Sequence, residues 1–340
     1  MTKFSNVVLA AAALGLVSVS FAAPVQSAER NLKLAYFGSP KSSLYKNAMV
    51  PWMVEMNKLL TGKIKVDGFP GGTMGRNPRA QVKLVQDGVV DIGFFVPSYT
   101  PGRFPDTEVM ELPGIFRNSR EASVSFWRLY DKGLQRGFEK FHVFSLFTTD
   151  AYNIHTKKPI KRLSELKGLK LRAGGPVAAA TLKAVGAVPV GMPITTVAEN
   201  ISKGVLDGSA SDWNVAFAFR IIDIAKHHYM ALMGTVPIGM LMTKKNWNGL
   251  SSDVKAAFIK TGGEAFARRH ADSNAAANAK FLSIAKSRPD NTFVIPGQAE
   301  QKAWESATQP VIDNWIKKHP NGRKLYNTLQ QELTKIRTES

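Results

Sequence analysis

The amino-acid sequence predicts an α/β fold built as two similar lobes. Residues 31–67 alternate strand, helix and strand, which is the pattern of a βαβ unit. Residues 204–208 repeat the pattern of residues 88–93, because in both places a helix ends at glycine before a short strand that carries an aspartate. A chain of 340 residues is long enough for two domains, and no low-complexity linker divides it. We therefore expect lobes that exchange segments along the chain.

The individual elements follow from hydrophobic periodicity and from the glycine and proline breaks between periodic segments. The predicted strands cover 31–37, 62–67, 88–97, 143–147, 169–172 and 189–192, with a segment at 230–243 that returns to the first lobe. The predicted helices cover 44–60, 77–87, 117–139, 177–185, 197–203, 251–285, 298–318 and 323–337.

Residues 1–28 have the features of a secretory signal peptide. Lys3 is the only charged residue, an apolar run covers 7–23, and small residues with plausible cleavage points follow between 22 and 28. The run is shorter than the ~20 apolar residues that a membrane span needs. We expect an exported mature chain, with an uncleaved anchor as the alternative.

The composition excludes some kinds of chemistry. The chain has no cysteine, so thiolate catalysis and cysteine metal sites are excluded. Its 45 basic and 26 acidic residues give a net charge of +19, but the basic residues are dispersed and form no nucleic-acid motif. No nucleic-acid partner is expected. The charge indicates either a field that favours small anions or simple solubility.

Arg172 is the central candidate for anion binding. Leu169 and Leu171 alternate with Lys170 and Arg172 as a short strand, which Gly-Gly-Pro ends before an alanine-rich helix. Ligands of open α/β sheets bind at the carboxyl ends of strands, and a guanidinium offers a planar fork to a carboxylate. An arbitrary arginine is more often a solvated surface residue, but the convergence of strand, Gly-Gly-Pro and helix favours a site here.

Further candidate ligand contacts lie at strand ends and after the Asp207-Gly208 turn: Phe37, Phe95, Tyr99, Thr149, Met192, Trp213 and Phe217. Aromatic rings beside one cation suit a flat apolar monocarboxylate, such as a phenylpropenoid or aryl-keto acid. Alternatively, Phe37 and Phe95 point into a lobe core and Trp213 caps a helix. A smaller aliphatic keto or hydroxy acid is then equally favoured.

The mature chain as a whole resembles the substrate-binding proteins of tripartite ATP-independent periplasmic (TRAP) transporters, the DctP family. The resemblance rests on five segments in this order: 69–75, 85–92, 111–116, 166–172 and 204–208. It implies a two-lobed periplasmic binding protein fold (type II-like), with lobes joined by crossing strands and a long helix. It also implies closure on an organic anion and its delivery to a small DctQ-like and a large DctM-like membrane subunit, with no cofactor.

By this resemblance, Arg172 matches the arginine that pairs with the ligand carboxylate. Many members have Glu-Asn-Pro where this chain has Ala210-Ser211-Asp212, so either Ser211 or Asn214 is the second carboxylate contact. The expected first lobe is 29–149 plus about 238–278, and the second is 150–237 plus about 279–340. The hinge crossings are expected at 149–150 and 237–238.

Other function classes have less support in the sequence. The six histidines form no HExxH motif and have no Gly-x-Ser-x-Gly partner, so an enzyme is not expected. His227 and His228 are predicted to be a surface pair at the end of a helix that starts near Val215. A receptor of the ABC type, a periplasmic sensor and a C4-dicarboxylate ligand remain alternatives.

Overall fold

The computed structural model describes residues 29–339, and its two β-sheets define the two lobes. The strands are β1 (Arg30–Ala35), β2 (Ile64–Phe69), β3 (Ile92–Phe95), β4 (Phe141–Thr148), β5 (Asn153–Thr156), β6 (Lys170–Ala173), β7 (Val188–Gly191), β8 (Gly208–Ser211), β9 (His227–Tyr229), β10 (Pro237–Thr243) and β11 (Thr292–Val294). The first lobe has the strand order β2-β1-β3-β10-β4, and the second has β11-β9-β5-β8-β6-β7. The predicted two-lobed α/β fold is confirmed.

Helices cover and connect these sheets. They are α1 (Val50–Leu59), α2 (Gln81–Gln86), α3 (Ser119–Asp131), α4 (Pro176–Ala184), α5 (Val197–Ser202), α6 (Trp213–Ala218), α7 (Lys244–Asn248), α8 (Ser252–Thr261), α9 (Gly263–Ser287), α10 (Gln298–Lys318) and α11 (Gly322–Thr338). The predicted βαβ unit is present, because β1 and β2 run parallel on either side of α1.

The chain passes between the lobes at two adjacent crossings. One follows β4, and the other precedes β10, which returns to the first sheet between β3 and β4. The crossings bind each other, since the Thr149 amide donates to the Val236 carbonyl at 3.1 Å and the Val236 amide donates to Thr149 Oγ1 at 2.9 Å. Helix α9 packs on α3 and β4 of the first lobe and on α6 of the second.

The C-terminal helices also contact both lobes. Glu300 on α10 accepts hydrogen bonds from the Leu163 amide and the Tyr229 hydroxyl of the second lobe. Farther along α10, the Trp315 indole donates to Glu108 of the first lobe, and α11 packs on α3. The expected boundary that gave 279–340 to the second lobe therefore does not describe α11.

The His227–His228 prediction was wrong. Helix α6 ends at Ala218, and Arg220 then adopts a left-handed φ of 58° that turns the chain away from a helix. His227–Tyr229 forms β9, which pairs with β5 and β11. His228 is buried, and its Nδ1 lies 2.9 Å from Nδ1 of His155.

Residues 1–28, with the predicted signal peptide, lie outside the described residues. Within 29–339, no helix is both long and apolar enough to cross a membrane.

Candidate functional site

Arg172 lies near the carboxyl end of β6, between the parallel strands β7 and β8. It is only 1% exposed. Its Nε donates to the Met192 carbonyl at 3.0 Å, Nη2 donates to the Tyr99 hydroxyl at 3.1 Å, and Nη1 points at the Ala210 carbonyl at 3.4 Å. The buried Tyr152 lies near the guanidinium. A permanently charged group is thus held in the interior by neutral acceptors.

No carboxylate of residues 29–339 forms an ion pair with Arg172. The buried Glu111 is nearby, but it is bound elsewhere: Ser98 Oγ donates to it from the first lobe, and the Ala178 amide of α4 lies 3.4 Å from its Oε2. Burial raises the pKa of Glu111 to about 7, and the Arg172 charge opposes this rise. Glu111 therefore does not neutralise the guanidinium as a paired carboxylate does.

Two glycines allow this close approach. A Cβ on Gly174 would lie 3.2 Å from both Nη atoms of Arg172, and a Cβ on Gly175 would clash with the Glu111 carboxylate. The Gly-Gly-Pro sequence thus does more than end β6. It lets the start of α4 pass closely between a buried cation and a buried acid.

A cavity of about 70 Å³ lies between the lobes, beside Tyr99, which contacts Arg172. Its wall contains six aromatic side chains: Tyr36, Phe37, Phe94, Tyr99, Tyr152 and Phe219. Its polar wall residues are Ser42, Thr149, Asn214, His270 and Asn274. No lysine, arginine, aspartate or glutamate is among the described residues of this wall. An aromatic, uncharged space next to one cation can take an anion with an apolar body.

Several predicted site residues meet at this cavity. Phe37, Tyr99, Thr149 and Asn214 lie on its wall. Arg172 lies behind Tyr99, and Met192 contributes its backbone carbonyl to Arg172. Ser211 is fully buried in β8 and is not part of the wall.

Three predicted aromatic contacts lie elsewhere, which corrects those expectations. Phe95 is on the opposite face of β3 from Phe94 and packs in a core with Phe104, at a ring distance of 5.3 Å. Trp213 packs against the buried His155 and His228, with ring distances of 4.8 and 4.9 Å.

Phe217 is the third of these. Its ring stacks on Phe281 at 4.6 Å and lies 5.1 Å from the Arg288 guanidinium. Alternation along β3 decides the direction of Phe95, and Trp213 and Phe217 share one face of α6 because they are four residues apart.

Other wall residues were not predicted from the sequence: Tyr36, Phe94, Tyr152, Phe219, His270 and Asn274. His270 and Asn274 are four residues apart on α9 and therefore lie on one helix face. A histidine and an asparagine at that spacing in an alanine-rich helix were the available signal in the sequence. Phe94 is adjacent in sequence to Phe95, which was the residue predicted to contact the ligand.

A polar network beside the cavity holds α6 to α9. The Asn214 amide nitrogen Nδ2 donates to Asn274 Oδ1 at 2.8 Å, and the Asn214 backbone amide donates to Asn278 Oδ1 at 3.0 Å. Asp212 caps α6 by accepting from the Val215 amide at 2.6 Å, and it also accepts from the Asp150 amide at 2.9 Å. Burial raises the pKa of Asp212 to about 7.

Comparison with known proteins identifies the family. Residues 34–318 match the family DctP, bacterial extracellular solute-binding protein, family 7, and the chain belongs to this family. A curated relative is the C4-dicarboxylate-binding periplasmic protein DctP of Rhodobacter capsulatus, which is 25% identical over 75% of this chain and 78% of its own length.

Two solved structures are also similar. A TRAP solute-binding protein of Rhodoferax ferrireducens T118, with copurified benzoate, is 27% identical. Its TM-score is 0.85 over 91% of this chain and 98% of its own. A marine metagenome TRAP solute-binding protein specific for aromatic acid ligands, with 3-hydroxybenzoate, is 28% identical. Its TM-score is 0.86 over 91% of this chain and 99% of its own.

The protein is therefore a TRAP transporter solute-binding protein with the two-lobed periplasmic binding fold. Proteins of this family are periplasmic, bind organic acids and serve transport through membrane subunits.

Proposed function

We propose that this protein binds an aromatic or similarly apolar monocarboxylate between its lobes and pairs the ligand carboxylate with Arg172. One observation carries this proposal: Arg172 is buried, has no carboxylate partner among residues 29–339, and adjoins an aromatic cavity. Burying a charge without an opposite charge is unfavourable. An anionic ligand would remove this cost, so the guanidinium is best explained as one half of a pair.

Tyr99 supports the assignment. Its hydroxyl oxygen, from the first lobe, accepts hydrogen bonds from Arg172 Nη2 and from the Ile194 amide, both at 3.1 Å and both from the second lobe. Two donors from the second lobe thus converge on one oxygen. A carboxylate oxygen has the acceptor capacity for the same two donors. When the lobes separate, Tyr99 leaves these donors and they become available to a ligand.

The cavity wall supports the apolar part of the ligand. Aromatic pairs add about 0.5–1.5 kcal/mol beyond area burial, and the wall offers several ring faces and edges. The two similar structures with bound benzoate and 3-hydroxybenzoate share this ligand class. A C4-dicarboxylate, the alternative suggested by the Rhodobacter capsulatus relative, has a second charge. The described wall residues include no second cation to receive it.

The proposed location and partners are based on the family to which the chain belongs. Residues 1–28 would be removed on export, and the closed, loaded protein would dock with a small DctQ-like and a large DctM-like membrane subunit. The crossings at 149–150 and 237–238 would be the hinges. N-terminal sequencing of the mature protein tests the cleavage, and two TRAP membrane-subunit genes next to this gene would distinguish a transporter component from a sensor or ABC-type receptor.

Calorimetry tests the ligand class. The purified mature chain is titrated with benzoate, cinnamate, an aryl-keto acid, an aliphatic keto acid, succinate and malate. Tight binding of the aromatic monocarboxylates, with weak or no binding of the dicarboxylates, is expected. Binding of succinate or malate without binding of aromatic acids would reject the proposal and favour the dicarboxylate alternative.

A further inference from the structure

We propose that the cavity selects hydroxylated aromatic acids, because two buried acceptors on its wall, His270 Nδ1 and Asn214 Oδ1, require a hydrogen-bond donor from the ligand. This inference rests on the proposed function and narrows its substrate class. Both residues lie on the cavity wall, both atoms are almost completely buried, and no group of residues 29–339 donates to either. The side chains are buried, with His270 2% and Asn214 7% exposed.

The hydrogen bonds of His270 fix which ring nitrogen is the acceptor. Its Nε2 lies 2.9 Å from the Thr148 carbonyl, which only accepts, so Nε2 carries the proton. Burial lowers the pKa of His270 to about 4, and the ring is therefore neutral near pH 7. In a neutral imidazole with a protonated Nε2, Nδ1 is a lone-pair acceptor.

Asn214 is paired with Asn274. Asn274 Oδ1 accepts from Asn214 Nδ2 at 2.8 Å, while Asn274 Nδ2 is buried and has no acceptor among residues 29–339. The remaining polar atom of the Asn214 side chain is Oδ1, which can only accept.

Two unpaired acceptors discriminate between ligand groups. A hydroxyl can donate to one of them, whereas a methyl or methoxy group leaves both without a partner. A second carboxylate would bring further acceptors and a negative charge. A site built to hydrogen-bond a substrate hydroxyl rejects analogues that lack it, because its buried polar groups are then left unpaired. A hydroxyl-bearing acid thus leaves fewer buried wall atoms unpaired than its methyl or methoxy counterpart does.

The wild-type protein gives the first test. Calorimetry compares 2-, 3- and 4-hydroxybenzoate with the matching methylbenzoates and methoxybenzoates, and mandelate with phenylacetate. At least one hydroxylated acid is expected to bind tenfold more tightly than its methyl, methoxy or unsubstituted counterpart. If no hydroxylated acid exceeds its counterpart although aromatic acids bind, this inference is overturned and the proposed function stands. If no aromatic acid binds at all, the proposed function fails, and this inference fails with it.

The variant His270→Phe locates the selectivity. It keeps a ring against Phe147, which is 4.5 Å from the His270 ring, and it removes the Nδ1 acceptor. The hydroxyl preference, which is the affinity for a hydroxylated acid relative to its methyl counterpart, is expected to fall at least threefold, and circular dichroism with urea unfolding reports whether the variant is folded. His142→Phe is the matched control, because His142 stacks on Trp247 and is not on the cavity wall. An unchanged preference in His270→Phe, or an equal fall in the control, would exclude His270. Asn214→Leu tests the second acceptor by the same readout.

Discussion

Replacing Arg172 by glutamine tests the proposed ion pair with the least disturbance. Glutamine fills part of the buried volume and can still donate to the Met192 or Ala210 carbonyl, but it has no charge. Loss of one partner of a buried hydrogen-bonded charge pair typically costs about 2–5 kcal/mol. Binding of an aromatic acid is therefore expected to weaken about 30-fold to several thousand-fold.

Arg172→Gln should change the stability of the ligand-free protein less than it changes ligand affinity. Breaking a buried salt bridge costs about 3–5 kcal/mol because it leaves an unpaired buried charge. Arg172 donates to two carbonyls and to the Tyr99 hydroxyl, so its removal leaves only neutral groups behind. Each lost hydrogen bond costs about 1 kcal/mol, and removal of the unpaired charge offsets part of that. The loss in unfolding free energy should be smaller than the loss in binding free energy.

The assay pairs calorimetric titration with urea unfolding of the ligand-free protein. Arg172→Lys is expected to recover only part of the affinity, because an ammonium lacks the planar fork. Arg79→Gln is the control, because Arg79 is exposed and lies near Tyr99 but is not on the cavity wall. This substitution removes the same charge as Arg172→Gln. An affinity of Arg172→Gln within threefold of wild type would refute the proposed carboxylate pair. An equal loss in Arg79→Gln would assign the effect to the general positive field.

Three further outcomes are expected. Phe219→Ala should weaken aromatic acid binding by about 0.5–1.5 kcal/mol or more, because Phe219 is on the cavity wall. Phe217→Ala should not weaken it, because Phe217 stacks on Phe281 and is not on this wall. Equal affinities of the two variants in calorimetry would contradict the assigned wall. Because burial raises the pKa of Glu111 from 4.5 to about 7, the folded protein retains a proton that the unfolded chain releases. The free energy of unfolding therefore falls as the pH rises between those values. Glu111→Gln should reduce this fall by about 1–3 kcal/mol. Parallel pH profiles of the variant and the wild type in urea unfolding would count against a raised pKa of Glu111. Saturation with ligand should lower the radius of gyration in small-angle scattering, and an unchanged radius would speak against lobe closure.

The sequence was sufficient for features that depend on local periodicity. The βαβ unit, the strand that carries Arg172, and the return of β10 to the first sheet all follow from residue patterns and their breaks. Side-chain direction in β3 could not be predicted, because all four residues of this strand are buried. Alternation identifies two faces, but it cannot say which buried face meets a ligand cavity. Phe95 was therefore chosen where Phe94 is the wall residue.

Long-range packing determined the features of the fold and site that the sequence did not predict. His270 and Asn274 reach the cavity because α9 passes both lobes, and that path depends on contacts with α3, β4 and α6. Arg220 turns the chain after α6 with a left-handed backbone, a conformation that arginine rarely adopts and that no local pattern indicated. The strand at His227–Tyr229 is stabilised by β5 and β11, which are distant in sequence.

The contacts between the lobes explain how a ligand would drive closure. Tyr99 meets Arg172 and Ile194 across the cleft, and Glu111 meets the Ala178 amide of α4, so closure forms hydrogen bonds without any ligand. Closure also buries the Arg172 charge without a carboxylate partner, which opposes it. An anion on Arg172 removes this opposing term only in the closed state. Its affinity for the closed form therefore exceeds that for the open form, and this difference shifts the population to the closed form. A neutral analogue of the same shape lacks this difference and should bind without producing the same closure.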